Sequence, residues 1–228
     1  MVTRSSGWIL KVGALLNKDF KGEFRTRHAL NSFLMFALTT LIIVSFSLGP
    51  YYLDAVIHAA LIWIILFFSA MAGLARSFVK EEEKGTAYAL RLSTVPEIIY
   101  LGKFSFNLLL LLLVAAIVIP FYLFFLSPPL GNPFLLFLTV FLGCLGLSAT
   151  TTILAAIVSK ASVKGNLLPV LAFPVLLPLL ITAINGTQMA LEGSPLREAT
   201  SEMQVLLSFS VIMVTLSLLL FNYVWEDG

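Results

Sequence analysis

Charged residues are scarce in this sequence. Asp, Glu, Lys and Arg make up 11% of its 228 residues, whereas a soluble domain carries roughly a quarter. Hydrophobic residues make up 59%, and the mean hydropathy is +1.00. This composition excludes an ordinary soluble domain and indicates one integral membrane domain over residues 1–228. The single cysteine, Cys144, excludes an internal disulfide.

Several catalytic and transport motifs are also missing. Gly102-Lys103 lacks the earlier glycine and the following Ser or Thr of a phosphate-binding loop, so the chain does not bind ATP by that motif. No acid, lysine or arginine falls deep inside an apolar run, which disfavours proton-coupled transport and voltage sensing. No base stands beside a buried serine. We therefore expect no catalytic, metal or cofactor site and no enzyme activity on this chain.

The two histidines, His28 and His58, are candidate ligands for haem or a metal. His28 precedes the first apolar run and His58 opens the second, so the two lie at opposite membrane levels. About 30 Å of hydrocarbon separates those levels, which prevents the pair from sharing one haem. We expect His28 to be an interface residue and His58 to be a packed polar residue near the outer surface.

Six apolar runs are long enough to cross a membrane as helices. They cover residues 30–48, 55–75, 104–126, 134–158, 167–184 and 205–225. Short turns at Gly49-Pro50 and Gly131-Asn132-Pro133 connect two of the pairs. The fourth run has a small-residue face that another helix can approach closely; it comprises Gly143, Gly146, Ser148 and Ala149.

Residues 1–27 are predicted to form an amphipathic helix. Apolar residues recur at helical spacing from Trp8 to Phe24, and Lys11, Lys18 and Lys21 fill much of the other face. A soluble amphipathic helix has the same pattern. Because a membrane span follows directly, we favour a helix that lies in the membrane interface and contacts lipid.

The positions of the basic residues predict the orientation. Thirteen of the fourteen lie before the first run or in the connections after the second and fourth, and the outer connections hold only Arg197. By the positive-inside rule, both termini are then cytoplasmic, which agrees with six spans.

The fifth run carries three prolines, Pro169, Pro174 and Pro178. We expect them to remove three backbone donors and to bend the helix, either as a structural feature or as a moving part. The polar stretch that follows, residues 185–204, is predicted to be an outer loop.

Residues 76–103 form a long polar stretch between the second and third apolar runs. Gly85 allows a turn with positive φ. Thr94, Pro96 and Glu97 have the pattern of a helix start, with Thr94 as the cap and Glu97 at the capping-box position. The stretch is either a solvated loop or a short helix that docks on a cytoplasmic partner.

Three segments of this stretch resemble the coupling loop of ABC-2-type permeases: EEKGT at 82–86, LSTVP at 92–96 and LGK at 101–103. Within that superfamily the chain resembles the CcmB family of the cytochrome c maturation system. That similarity rests on the chain length, on LARSF at 74–78 and on LPVLAFPVLLPLL at 168–180. It covers essentially the whole chain and implies a fold of six transmembrane helices with an N-terminal interfacial helix.

The resemblance also implies site residues and partners. Contact with an ATP-binding subunit is expected at the following residues: Glu82, Glu83, Gly85, Thr94, Pro96, Glu97, Gly102 and Lys103. The implied partners are a CcmA-type ATP-binding subunit, membrane proteins of CcmC and CcmD type, a CcmE-type haem chaperone and a second copy of the chain, with no nucleic acid. ATP would bind the partner subunit, and haem would be handled by partner subunits. The complex would lie in the inner membrane and release the haem-loaded chaperone.

Two other functions remain open. One is an ABC-2 exporter of a lipid, a polysaccharide or a drug. A neighbouring gene for a haem chaperone would distinguish the CcmB function from this one. The other is a membrane scaffold without an ATPase partner, which co-purification of a nucleotide-binding protein would exclude.

Overall fold

The computed structural model describes residues 3–26, 28–48, 53–74, 78–79, 81, 85–160 and 167–226. Within these ranges all regular structure is helical, which confirms the all-α prediction. The helices are α1 (Thr3–Thr26), α2 (His28–Leu48), α3 (Ala55–Leu74), α4 (Ala87–Ser93), α5 (Pro96–Leu126), α6 (Pro133–Ser159), α7 (Leu167–Glu192) and α8 (Thr200–Glu226).

Six of the described helices are long and apolar enough to cross a membrane: α2, α3, α5, α6, α7 and α8. The chain is therefore a multi-pass membrane protein. The third of these begins at Pro96 rather than at the predicted residue 104. It starts earlier because Ile98, Ile99 and Tyr100 are buried against the bundle, so the helix is packed before it reaches the continuous apolar run.

The outer loop is shorter than the predicted 185–204, because α7 continues to Glu192 and α8 begins at Thr200. The polar residues after Ile184 are accommodated by packing against other helices. The Nε1 of Trp63 donates to the Oγ1 of Thr187 at 2.9 Å. A Cβ on Gly186 would lie 3.1 Å from a methyl group of Thr139, so glycine allows α7 to approach α6 closely here.

Helix α6 lies at the centre of the bundle and contacts α3, α5, α7 and α8. Its predicted small-residue face is buried, as expected: Gly143, Gly146, Ser148 and Ala149 all lie inside. At Gly143 the indole of Trp63 occupies the space that a side chain would need. Without a hydrophobic driving force between helices in lipid, such close contacts supply much of the packing energy.

The bundle has two distinct ends. The basic end holds α1, α4, the start of α5 and the last turn of α8, which is joined to α5 by a hydrogen bond from Asn222 Nδ2 to Glu97 Oε1 at 3.1 Å. The opposite end holds the turn at Gly131 and the connection 193–199. There Asn132 accepts from the Leu135 amide and donates to the Ser194 carbonyl, which confirms the predicted turn.

Candidate coupling site

Phe78, in the polar stretch between α3 and α5, packs into the bundle through aromatic contacts. Phe78 is fully buried, and its ring centroid lies 5.7 Å from that of Phe221 and 5.6 Å from that of Trp225 on α8. Phe221 and Trp225 stack on each other with an interplanar angle of 15°. Aromatic pairs at these separations add to the free energy of apolar burial. The start of the polar stretch is therefore packed against the last turns of α8.

A group of four charged side chains lies next to Phe78, and we call it the ion cluster. It consists of Lys18 and Asp19 from α1, Glu81, and Lys103 from α5. The Nζ of Lys103 lies 3.0 Å from Asp19 Oδ2 and 2.9 Å from Glu81 Oε1, and Lys18 Nζ lies 2.9 Å from the same Glu81 oxygen. The side chains of Lys103, Glu81 and Asp19 are about nine-tenths buried, whereas that of Lys18 is half exposed.

The environment of Glu81 favours its ionised form. Burial alone would raise the pKa of its carboxyl group, but the charge of Lys103 and hydrogen bonds from Thr86, Lys18 and Lys103 outweigh burial. Together they lower the pKa of Glu81 to about 2. The cluster therefore holds two carboxylates and two ammonium groups, with no net charge at neutral pH.

Gly102 and Lys103 face the protein interior. A Cβ on Gly102 would lie 3.0 Å from the Cβ of Leu15, so glycine lets α1 pack closely against α5. One residue further, Lys103 pairs with Asp19, and one turn further Phe106 meets Phe20 edge to face with ring centroids 5.2 Å apart. The structure thus places this predicted Gly-Lys pair at the contact between α1 and α5.

Gly85 has φ +66°, in the left-handed region, which confirms the predicted turn. Directly after it, Thr86 is hydrogen-bonded to Glu81 through both its backbone and its side chain: its amide donates to the Glu81 carbonyl at 3.0 Å, and its hydroxyl donates to Oε2 at 2.5 Å. Glu82 and Glu83, the predicted acidic contacts, lie outside the described residues. The turn therefore joins the ion cluster to Thr86, the residue immediately before α4.

The helix start at Pro96 is confirmed, but the predicted capping box is wrong. Val95, with extended backbone, is the N-cap residue, and Pro96 occupies the first helical turn. Thr94 lies one residue too early to cap, and its buried Oγ1 has no hydrogen-bond partner. Glu97 accepts from Asn222 of α8 instead of bonding back to the cap. Proline at the helix start leaves fewer amides for a side chain to cap, so the long-range contact replaces the local one.

Helix α4 is anchored on one side and exposed on the other. Leu90 is buried in the core, and the guanidinium of Arg91 lies over the Trp225 ring. Tyr88 is 69% exposed and Leu92 is 76% exposed. The two are four residues apart, so they lie next to each other on one face of the helix. The basic end thus presents an apolar ridge on a helix that is fixed to the bundle.

A family model described as "CcmB protein" matches residues 10–223 of the chain. The match covers almost the whole sequence and agrees with the resemblance found in the coupling-loop and fifth-span motifs. The chain belongs to the CcmB family. No curated protein matches it. The family is that of a membrane permease subunit, and it connects this chain with haem transport and cytochrome c biogenesis.

The three prolines of the CcmB-family chain lie on α7, away from the ion cluster. Pro174 and Pro178 are inside the helix, and each removes one helical hydrogen bond. Pro169 is the third described residue of α7, in the first turn, where a backbone amide has no partner within the helix. Pro174 and Pro178 are both exposed on the surface of the bundle, and α7 continues past them to Glu192. Whether they serve as a moving part stays a prediction.

His58 is buried at the opposite end, where its Nδ1 lies 3.0 Å from the hydroxyl of Tyr122. That contact confirms the expectation of a packed polar residue. The side chain of His28 lies outside the described part of the structure. Among the described residues, no group of three or more His, Cys, Asp and Glu could hold a metal ion.

Four important residues were missed by sequence reasoning. Tyr88 and Leu92 had a usable signal, namely two large apolar residues at helical spacing, four apart, within the stretch between the second and third apolar runs. Asp19 and Glu81 had none, because their partner Lys103 is 84 and 22 residues away in sequence. A lone acid on an amphipathic helix looks like a solvated residue until its partner is known.

Proposed function

We propose that this CcmB-family chain is the permease subunit of an ABC complex for cytochrome c biogenesis. Its work is driven by ATP hydrolysis on a separate CcmA-type subunit and leads to release of a haem-loaded chaperone of CcmE type. CcmC-type and CcmD-type membrane proteins complete the complex, which lies in the inner membrane with both termini of this chain in the cytoplasm. The N-terminal helix α1 lies at the membrane interface.

One observation carries the proposal: the exposed ridge of Tyr88 and Leu92 on α4. Large apolar side chains at the polar end of a membrane protein are costly to leave in water, so this ridge suits a protein partner. The helix beneath it is fixed by Leu90 and Arg91, so a partner that moves the ridge also moves the bundle. Glu82 and Glu83 remain predicted contacts beside the ridge.

The ridge can be tested by co-purification with the ATP-binding subunit from membranes. In the double variant Tyr88→Ser/Leu92→Ser, we expect about tenfold less of the ATP-binding subunit, because each exposed anchor of an interface contributes on the order of 1 kcal/mol or more. The matched control is Leu196→Ser, which changes an exposed apolar residue at the opposite end and should leave co-purification unchanged.

Four outcomes separate the candidate functions. Loss of the ATP-binding subunit together with loss of mature cytochrome c supports the proposal. Loss of the subunit with normal cytochrome c indicates an exporter of another substrate. Co-purification that is unaffected by the double variant shows that α4 is not the coupling surface. Absence of any nucleotide-binding partner with the unaltered chain indicates the scaffold.

A further inference from the structure

Lys103 connects three segments that are far apart in sequence. Its ammonium group contacts both carboxylate oxygens of Asp19 on α1, at 3.1 and 3.0 Å, and Oε1 of Glu81 at 2.9 Å. An ammonium group has three N–H donors and no acceptor, so these contacts can use all three. With its side chain 8% exposed, this lysine is held by protein partners rather than by water.

The burial of Lys103, Glu81 and Asp19 makes these three members of the ion cluster interdependent. Removing an ion from water costs several kcal/mol unless a partner is held in good geometry, and loss of a partner leaves the other charge unpaired. α1 therefore cannot leave α5 without uncovering Asp19 and Lys103 together. The close contact of Leu15 with Gly102 and the edge-to-face contact of Phe20 with Phe106 also hold α1 against α5.

Glu81 connects this α1–α5 contact to α4. One carboxylate oxygen, Oε1, accepts from Lys18 and Lys103, and the other, Oε2, accepts from Thr86. Thr86 is the residue immediately before α4. Any displacement of α4 therefore acts on Thr86, then on the Glu81 carboxylate, and through Lys103 on both α1 and α5.

We propose that Lys103 is a positioning residue that joins α1 to the coupling helix α4 through Glu81, so that α1 moves with α4 when the ATP-binding partner acts. This inference rests on the proposed function, because it takes α4 as the surface on which the partner acts. The side chain of Lys103 is 8% exposed, and its described contacts lie within this chain. Its role is to pass the displacement from α4 to the N-terminal helix.

The inference can be tested with a fluorescent reporter on α1. Asn17 is exposed on that helix, and an environment-sensitive dye can be attached in the Asn17→Cys variant; Cys144 is buried and will not compete. The complex of the full chain with its ATP-binding subunit is placed in lipid nanodiscs, and the change in fluorescence on adding ATP is recorded.

Two substitutions should reduce this response, each with a matched control. Lys103→Met and Thr86→Val should lower its amplitude by about fivefold or more, as expected when a coupling free energy between two sites is lost. Lys103→Arg and Thr86→Ser are the matched controls and should keep the response. Arginine keeps the charge and can reach both carboxylates, and serine keeps the hydroxyl. Lys18→Met removes a half-exposed partner of the same Glu81 oxygen and should stay within about twofold of the unaltered chain.

The outcomes decide between the inference and the proposed function. Full amplitude in either Lys103→Met or Thr86→Val would overturn the inference. So would the absence of an ATP response in the unaltered chain while the ATP-binding subunit is bound and hydrolyses ATP. If Lys103→Met does not fold, Thr86→Val decides, because Thr86 lies outside the α1–α5 contact. Failure of the unaltered chain to bind any ATP-binding subunit would overturn the proposed function and this inference with it.

Discussion

The guanidinium carbon of Arg91 lies 5.3 Å from the centroid of the Trp225 ring. Lys160, which directly follows α6, places its Nζ 5.5 Å from the centroid of the same ring. A cation over an indole face is attracted by the ring quadrupole, and burial strengthens the attraction. Trp225 therefore brings two connections at the basic end, one before α5 and one after α6, onto the last turn of α8.

We expect Trp225→Ala to reduce the free energy of unfolding by about 3–5 kcal/mol, the usual cost of deleting a buried aromatic side chain. Trp225→Phe should cost clearly less, because the indole Nε1 has no hydrogen-bond partner and a phenyl ring keeps most of the stacking. Thermal unfolding of each variant in detergent measures both losses of stability. Tyr223→Ala, at an exposed site on the same helix, is the control. Equal losses in the Ala and Phe variants would contradict this account.

The left-handed backbone at Gly85 gives a graded prediction. A Cβ at this position would meet nothing within 4 Å, so the cost of substitution comes from φ +66° and not from a clash. Gly85→Ala should cost roughly 1–2 kcal/mol, Gly85→Val more, and Gly85→Asn less, because asparagine adopts left-handed conformations more readily. The amount of ATP-binding subunit that co-purifies should fall least for Gly85→Asn, more for Gly85→Ala and most for Gly85→Val.

Thermal unfolding of each Gly85 variant in detergent provides the independent measure. Gly13→Ala is the matched control: it also has open space but lies within α1, where alanine favours the helix. It should leave unfolding unchanged or make the protein slightly more stable. An effect that follows side-chain volume alone, with asparagine as harmful as valine, would show that steric contact and not backbone conformation decides.

The sequence predicted the membrane-spanning helices well, because a long apolar run determines its own structure in lipid. It predicted the start of α5 and the end of α7 poorly, whereas the end of α5 at Leu126 and the start of α7 at Leu167 agree with the structure. Tyr100 and Thr187 lie beyond the continuous apolar runs, and they remain helical because of contacts with other helices. Hydropathy of a local window contains no information about such contacts.

The sequence predicted two backbone features of the candidate site but not its side-chain contacts. Local signals located the turn at Gly85 and the helix start at Pro96, since both depend on the backbone preferences of one residue. The roles of Asp19, Glu81 and Lys103 depend on pairing between distant segments. Thr94 fits the local capping rule, yet the extended residue Val95 takes the cap position. The exposed ridge on α4 could have been found from the spacing of its two apolar residues.

Close packing of Trp63 on Gly143 gives a prediction for the bundle core. A Cβ on Gly143 would lie 2.1 Å from Cη2 of Trp63, and the indole cannot move freely because its Nε1 is hydrogen-bonded to Thr187. Gly143→Ala should therefore cost roughly 1–3 kcal/mol of unfolding free energy through overpacking. Thermal melting in detergent provides the measurement.

A second substitution shows whether the Trp63 ring is the cause. Trp63→Phe removes the outer ring atoms that would collide, at the cost of a hydrogen bond and some packing. In a double-mutant cycle, Gly143→Ala should be less destabilising in the Trp63→Phe background than alone. Strict additivity of the two changes would mean that Gly143 is required for another reason.

The low pKa of Glu81 makes part of the stability dependent on pH. Burial opposes ionisation, but Lys103 and the hydrogen bonds from Thr86 and Lys18 bring the pKa from the ordinary 4.5 to about 2 in the folded chain. Since the folded pKa is the lower one, the stabilisation is fully present above about pH 4.5 and is lost as pH falls toward 2. The other acidic group of the cluster, Asp19, contacts the same lysine.

We expect Glu81→Gln to lower the melting temperature at neutral pH, because Lys103 then keeps only Asp19 as an ionic partner. The difference from the unaltered chain should stay constant from pH 7 to about 5.5 and then shrink as pH falls from about 4.5 toward 2. In that range the Glu81 carboxylate of the unfolded chain takes up a proton while the folded one stays ionised, and this favours unfolding of the unaltered chain. Glu198→Gln, an exposed acid at the opposite end, controls for general acid effects. A difference that stays constant down to about pH 3 would show that Glu81 stabilises the cluster without its charge.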